Sequence, residues 1–142
     1  MKKQIKLIMF FVFLIIILGS IYIFKTNNSF KNTVLENIRI TDVTIIEIIR
    51  SADNKEIVIT DRNQIDKIMS NFLVANLKKS KILDQNFNES YWIKIRVNKK
   101  LKLGLRLDDK NYISVFDYDK GNIGDFKING NFEKEIIENL FE

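Results

Sequence analysis

The chain has 142 residues, with 23 Lys and Arg, 18 Asp and Glu, and no cysteine, histidine or proline. That inventory excludes disulfide frameworks, thiol redox chemistry, Cys–His or Ser–His catalysis and structural zinc of the usual kind. The formal charge of +5 suggests nucleic acid, but residues 1–25 hold four lysines and no acid, leaving nineteen cations and eighteen acids beyond them. A nucleic-acid footprint needs a concentrated basic surface, so no nucleic-acid partner is expected.

The first element is KLIMFFVFLIIILGSIYIFK, residues 6–25, with 18 uncharged residues between Lys6 and Lys25. Fourteen of the 18 are Leu, Ile, Val or Phe, on every face of a helix, and only Gly19, Ser20 and Tyr22 interrupt. At about 1.5 Å per residue the stretch covers roughly 27 Å, close to a bilayer's hydrocarbon core. At roughly −0.3 kcal/mol each, those fourteen gain about 4 kcal/mol on insertion. The expectation is a transmembrane anchor.

A cleaved signal would offer small residues at a cleavage site after about 7–15 apolar ones. The best local match, Leu18-Gly19-Ser20, has the wrong first residue, and the apolar run continues to Phe24. The anchor is therefore expected to stay. Lys2, Lys3 and Lys6 precede it and Lys25 follows, which places the N-terminus in the cytoplasm and the rest outside. The expected organisation is a cytoplasmic tip and anchor over 1–25, a tether over 26–37 and an extracytoplasmic α+β domain over 38–142.

Within the domain, VTIIEIIR (43–50) is almost continuously apolar and predicts a strand buried on both faces. SADNK is turn chemistry, and EIVIT completes a hairpin. Asp61 and Gln64 fit a capping box. Ile65, Ile68, Met69, Phe72 and Leu73 then fall at helical spacing, predicting a helix packed on its own sheet. Residues 77–82 form a third strand, and DQNFNE is a loop.

SYWIKIRVN (90–98) and LKLGLRL (101–107) alternate and predict a hairpin with a three-residue loop, Asn98-Lys99-Lys100. That register pairs Val97 with Leu101, Ile95 with Leu103, Ile93 with Leu105, Trp92 with Arg106 and Lys94 with Gly104. YISVFDY is a further strand, DKGNIGD a loop, and FKI a short last strand. Asn131 caps a final helix from Phe132 to about Phe141, with Phe132, Ile136, Leu140 and Phe141 as its apolar stripe. The principal elements run ββα-ββββ-α, an α+β fold with two helices on one face of a mainly antiparallel sheet.

Three groups of residues bear on function. Asp117-Tyr118-Asp119-Lys120-Gly121-Asn122 begins like a calcium loop but departs from that pattern at three positions, so no metal or cofactor is expected. Asp108, Asp109, Asp117 and Asp119 are loop carboxylates that suit turns, or the acid–base chemistry of an envelope hydrolase. The third group is basic: from Ser90 to Leu107 there are six cations and no acid. In the register above, Lys94, Arg96, Lys102 and Arg106 share one sheet face with Trp92, and Arg96 opposes Lys102. Such a face suits an anionic partner, or is an ordinary solvated strand face.

A Lys-rich start, an uncleaved anchor, IIEIIRSADNKEIVITDRNQIDKIMSNF and a closing FKINGNFEKEIIENLF together resemble small single-pass envelope proteins of low-GC Gram-positive bacteria. The resemblance implies a location at the cell membrane and transfers no catalytic residue. The expected function is a membrane-anchored, extracytoplasmic, non-enzymatic binding module for an envelope protein or an anionic envelope polymer. An immunity-type protein is a special case, and an envelope hydrolase is the alternative.

Overall fold

The computed structural model describes residues 2–81 and 86–142, with side chains of the first helix described at Lys6 and at 8–21. Helix α1 runs Lys2–Thr26. Every side chain from Ile8 to Ile21 is exposed, because among the described residues none packs on this stretch. Among the described residues no helix is long and apolar enough to cross a membrane.

The stretch expected to be a tether is instead built into the domain. Strand β1 (Asn27–Ser29) pairs with β4 (Ala75–Lys79), and the one-turn helix α2 (Phe30–Thr33) follows it. Ser29 caps α2 by accepting from the Asn32 N–H at 3.2 Å. Phe30, Val34 and Leu35 are buried, and the Phe30 ring stacks on Phe72 at 4.9 Å. Three apolar side chains set among polar neighbours are enough to dock the segment, although its mean composition reads as a linker.

The remaining strands are β2 (Val43–Arg50), β3 (Glu56–Ile59), β5 (Ser90–Val97), β6 (Lys100–Asp108), β7 (Tyr112–Asp117) and β8 (Gly121–Gly130). They form one antiparallel sheet in the order β1-β4-β8-β7-β6-β5-β2-β3. Helix α3 (Arg62–Leu73) has Asp61 as its N-cap, accepting from the Gln64 N–H at 2.9 Å. Its Ile65, Ile68, Met69 and Phe72 are buried, as the spacing predicts. Each such side chain contributes roughly 1.5–3 kcal/mol on burial. The α+β class with helices on an antiparallel sheet is thus the observed architecture.

Four details differ from expectation. Strand β2 is covered on one face only: Ile46 and Ile48 are buried, whereas Ile45 and Ile49 are half-buried on the outer face. The last strand is longer than expected: FKI is the middle of the ten-residue β8, which also takes up residues 121–125 of the expected loop and stands fifth, not fourth, after α3. Strand β4 begins at Ala75, and Ile82, its expected end, lies outside the described residues. The last helix is a single turn, α4 (Glu135–Glu138), continued by a 3-10 turn at Asn139–Phe141. Asn131 does not cap it. The Asn71 side chain instead holds Glu133 through both backbone groups, at 2.8 and 2.9 Å, and Ile137 becomes its most buried residue.

The β5–β6 hairpin agrees with expectation except at its tip. Trp92 pairs with Arg106, Ile93 with Leu105, Lys94 with Gly104 and Ile95 with Leu103. Val97 faces Lys100 rather than Leu101, because the turn holds two residues, Asn98 and Lys99, both at positive φ. A bulge between Ile95 and Arg96 restores the register below it. Arg96 consequently faces Leu101, and the like-charge pair expected with Lys102 does not form.

Candidate functional site

Alternation assigns the sheet two faces. Ile46, Ile48, Ile93, Ile95, Leu103 and Leu105 point to the helices and are buried. The opposite face carries rows that cross the strands. One runs Ile49, Trp92, Arg106, Ser114 and Asp125. The next runs Val58, Glu47, Lys94, Gly104, Phe116 and Asn122. Among the described residues no helix covers this face, and Trp92 is 50% exposed, Phe116 44% and Tyr118 49%.

The candidate residues lie on or beside this face, but most of the cations are not free. Arg96 Nε donates to Glu47 Oε1 at 2.6 Å, and Lys94 Nζ lies 3.8 Å from Glu47 Oε2. Lys102 donates to Asp119 and lies 3.8 Å from Asp117 Oδ1. The lysine hydrogen bond holds the Asp119 carboxyl below its ordinary value, and the same bond raises Lys102. Arg106 differs: its guanidinium stacks 5.0 Å from the Phe87 ring and 5.8 Å from Trp92, and no carboxylate among the described residues pairs with it. The basic run in sequence is therefore a mixed-charge face in space. The neutralising acids come from β2 and from the β7–β8 turn, which a count along 90–107 does not include.

Two further aromatics complete the site. Phe116 and Tyr118 meet edge to face, with centroids 5.1 Å apart. The Tyr118 ring leans over Gly104, where a Cβ would come within 3.4 Å of it. A missing side chain on β6 thus leaves a hollow. The resulting pocket holds about 410 Å³ and is lined by Trp92, Arg106, Phe116, Tyr118, Ser114 and Asp125. Sequence reading passed over Phe116 and Tyr118, although YISVFDY carries a readable signal. Ile113 and Val115 take the inward parity, so Ser114 and Phe116 must point outward.

The loop carboxylates occupy turns. Asp108 Oδ1 accepts the Lys110 and Tyr112 N–H groups, each at 2.9 Å. Asp109 Oδ2 accepts the Asn88 N–H at 3.1 Å. Asp117 Oδ1 accepts the Asp119 and Lys120 N–H groups at 2.8 and 3.1 Å. Asp117 pairs with Leu103, five residues along β6 from Asp108, which separates the two by roughly 17 Å at about 3.4 Å per residue. Paired carboxylates of glycoside hydrolysis stand about 5–9.5 Å apart. Among the described residues no group of three or more acids could hold a metal. The chain matches no protein family model, no curated protein and no solved structure.

Proposed function

We propose that this chain is a membrane-anchored, non-enzymatic binding module whose sheet domain stands outside the cell and engages its partner through the Trp92 face. The observation that carries the reading is an unsatisfied helix next to a well-packed domain. From Ile8 to Ile21, α1 exposes its apolar side chains all round, while the core beyond it buries Phe30, Phe72, Ile93 and Leu103 almost completely. A chain able to pack a core so well leaves such a helix bare only if another apolar phase covers it. Residues 7–24 supply the length of a bilayer core, and the lysines before them favour a cytoplasmic N-terminus.

The resemblance to small single-pass envelope proteins supports the same location. An envelope protein or an anionic envelope polymer is the partner class, with immunity-type interception of a toxin as a special case. The hydrolase reading draws no support from the loop carboxylates, which accept turn amides at opposite ends of β6 and β7.

Two measurements test this proposal. Full-length protein should float with membranes and resist carbonate extraction, and protease added to intact cells should degrade the sheet domain. A photo-reactive residue in place of Ser114 should crosslink to an envelope component in living cells. Recovery of the full chain in the soluble fraction, or protection of the domain from outside, would overturn the topology. A silent crosslinker would overturn the binding role.

A further inference from the structure

We infer that the pocket between Trp92 and the Phe116–Tyr118 pair is a glycan subsite that takes one or two pyranose rings of a carboxylate-bearing polysaccharide. The inference rests on the reading of the domain as an external binding module and names its ligand class.

A pyranose presents a flat patch of C–H groups on its ring face and hydroxyls around its rim. It therefore asks for aromatic surface and for donors and acceptors together. The pocket offers both. Trp92 and Phe116 are each about half exposed, on strands two apart, which sets them about 10 Å apart across the sheet. Ser114 and, one strand further on, Asp125 line the pocket as acceptors, and Arg106, on the strand between the two rings, lines it as donor. Ser114 separates Arg106 from Asp125 by one strand on either side, and the two charges form no ion pair. At about 410 Å³ the space is at the small end of ligand pockets.

The charge pattern decides between anionic ligands. A phosphate headgroup or an acidic protein surface would need several uncompensated cations. Here Arg96 and Lys94 share Glu47, Lys102 is held by Asp117 and Asp119, and Asp125 stands in the pocket itself. Arg106 alone is placed to meet one carboxylate, while Asp125 accepts from hydroxyl or acetamido N–H groups. A sugar with a single acid substituent fits that arrangement.

Trp92 is the sole tryptophan, so its emission reports on the pocket directly. The experiment uses the full chain in phospholipid-free detergent micelles, titrated with a tetrasaccharide of alternating N-acetylglucosamine and N-acetylmuramic acid. A saturable change in Trp92 emission is expected. Phe116→Ser, on the exposed face, and Gly104→Val, which fills the floor under Tyr118, should each weaken binding about tenfold. No saturable change in protein with native circular dichroism would overturn the proposal, as would equal affinity in both variants. A response to phosphatidylglycerol vesicles that the tetrasaccharide does not compete away would overturn it in favour of lipid. If the Ser114 crosslinker captures a protein while the tetrasaccharide is inert, the glycan is lost and the binding module stands.

Discussion

Arg96 on β5 reaches diagonally past its direct neighbour Ile45 to bond Glu47 on β2, Nε to Oε1, at 2.6 Å. Glu47 lies directly opposite Lys94, whose ammonium is 3.8 Å from its other oxygen. One acid thus ties two cations to the centre of the outer face. Without it, Lys94 and Arg96 would repel each other two residues apart on one strand. Glu47→Ala should destabilise the domain by about 1–2 kcal/mol in urea unfolding, since the pair is partly buried and charge-assisted. The loss should shrink in high salt, where the two half-buried cations are partly screened. A loss below about 0.5 kcal/mol at low salt, the ordinary result of a surface substitution, would refute this account.

Asn71 is the second fixed point. Its side-chain amide donates to the Glu133 carbonyl at 2.8 Å and accepts from the Glu133 N–H at 2.9 Å, pairing with the backbone as a neighbouring strand would. Asn71 is nearly fully buried, and removing its amide deprives the Glu133 N–H of its acceptor while the Glu133 carbonyl keeps only the 3.3 Å bond from the Ile136 N–H. Asn71→Ala should cost about 2 kcal/mol. It should also speed amide exchange selectively at Glu133 and through α4, since Phe132, Ile137 and Phe141 are anchored from this point. Exchange that rises uniformly over the whole sheet would show that Asn71 acts on global stability and not as a local clamp.

The contrast between these two residues explains how much of the fold could be read from the chain. Strand 90–97 and the capped helix α3 were legible because their apolar residues follow a period, of two and of 3.6, whereas 43–50 was legible as a strand only from its unbroken apolar run, which hid that one face is open. Phe30 docked without any period to announce it, and the C-terminal helix shortened because a single distant side chain, Asn71, took hold of its first residues. The site divided in the same way. Trp92, Lys94 and Arg106 were placed on their face by alternation alone. Glu47 neutralises that face from a strand 49 residues before Arg96, and Asp119 from a turn 17 residues after Lys102, and no count within 90–107 could include them. Alternation turns Phe116 outward, but that it and Tyr118 stand beside the Trp92 row follows only from the strand order, in which β7 borders β6.

The two-residue turn of β5–β6 permits a stabilising change. Asn98 and Lys99 have φ of 49° and 68°, the conformation of a type I′ hairpin turn, for which Asn-Gly is the preferred pair. Asn98 already suits its position. Lys99 holds a left-handed conformation that costs a side-chain-bearing residue roughly 1 kcal/mol. Its N–H donates to Thr44 Oγ1 at 3.0 Å, a bond that glycine keeps. Lys99→Gly should therefore stabilise the protein by about 0.5 kcal/mol, after the greater freedom of glycine in the unfolded chain is offset. A lower midpoint in urea unfolding would mean that the lysine side chain has a role of its own at the turn.

Tyr91 gives the domain an alkaline limb. Its ring is buried against Phe141, with centroids 5.6 Å apart, and its hydroxyl donates to Glu89 Oε2 at 3.1 Å. Burial, then the Glu89 hydrogen bond, then the negative charges of Glu89 and Glu138 push the phenol up to about 12, against a smaller opposing pull from Arg50. In the unfolded chain the same phenol titrates near its ordinary value of about 10. The folded protein therefore keeps a proton that the unfolded chain releases. Its contribution to stability is complete below pH 10, declines as pH rises from 10 to about 12, and is exhausted above that. Lysines titrate in the same window, so the comparison must be with Tyr91→Phe. The variant should be less stable at neutral pH, through loss of the bond to Glu89, and should lose stability less steeply between pH 10 and 12. Melting temperatures across that range measure both effects, and parallel slopes for the two proteins would show that Tyr91 ionises in the folded state as freely as in the unfolded one.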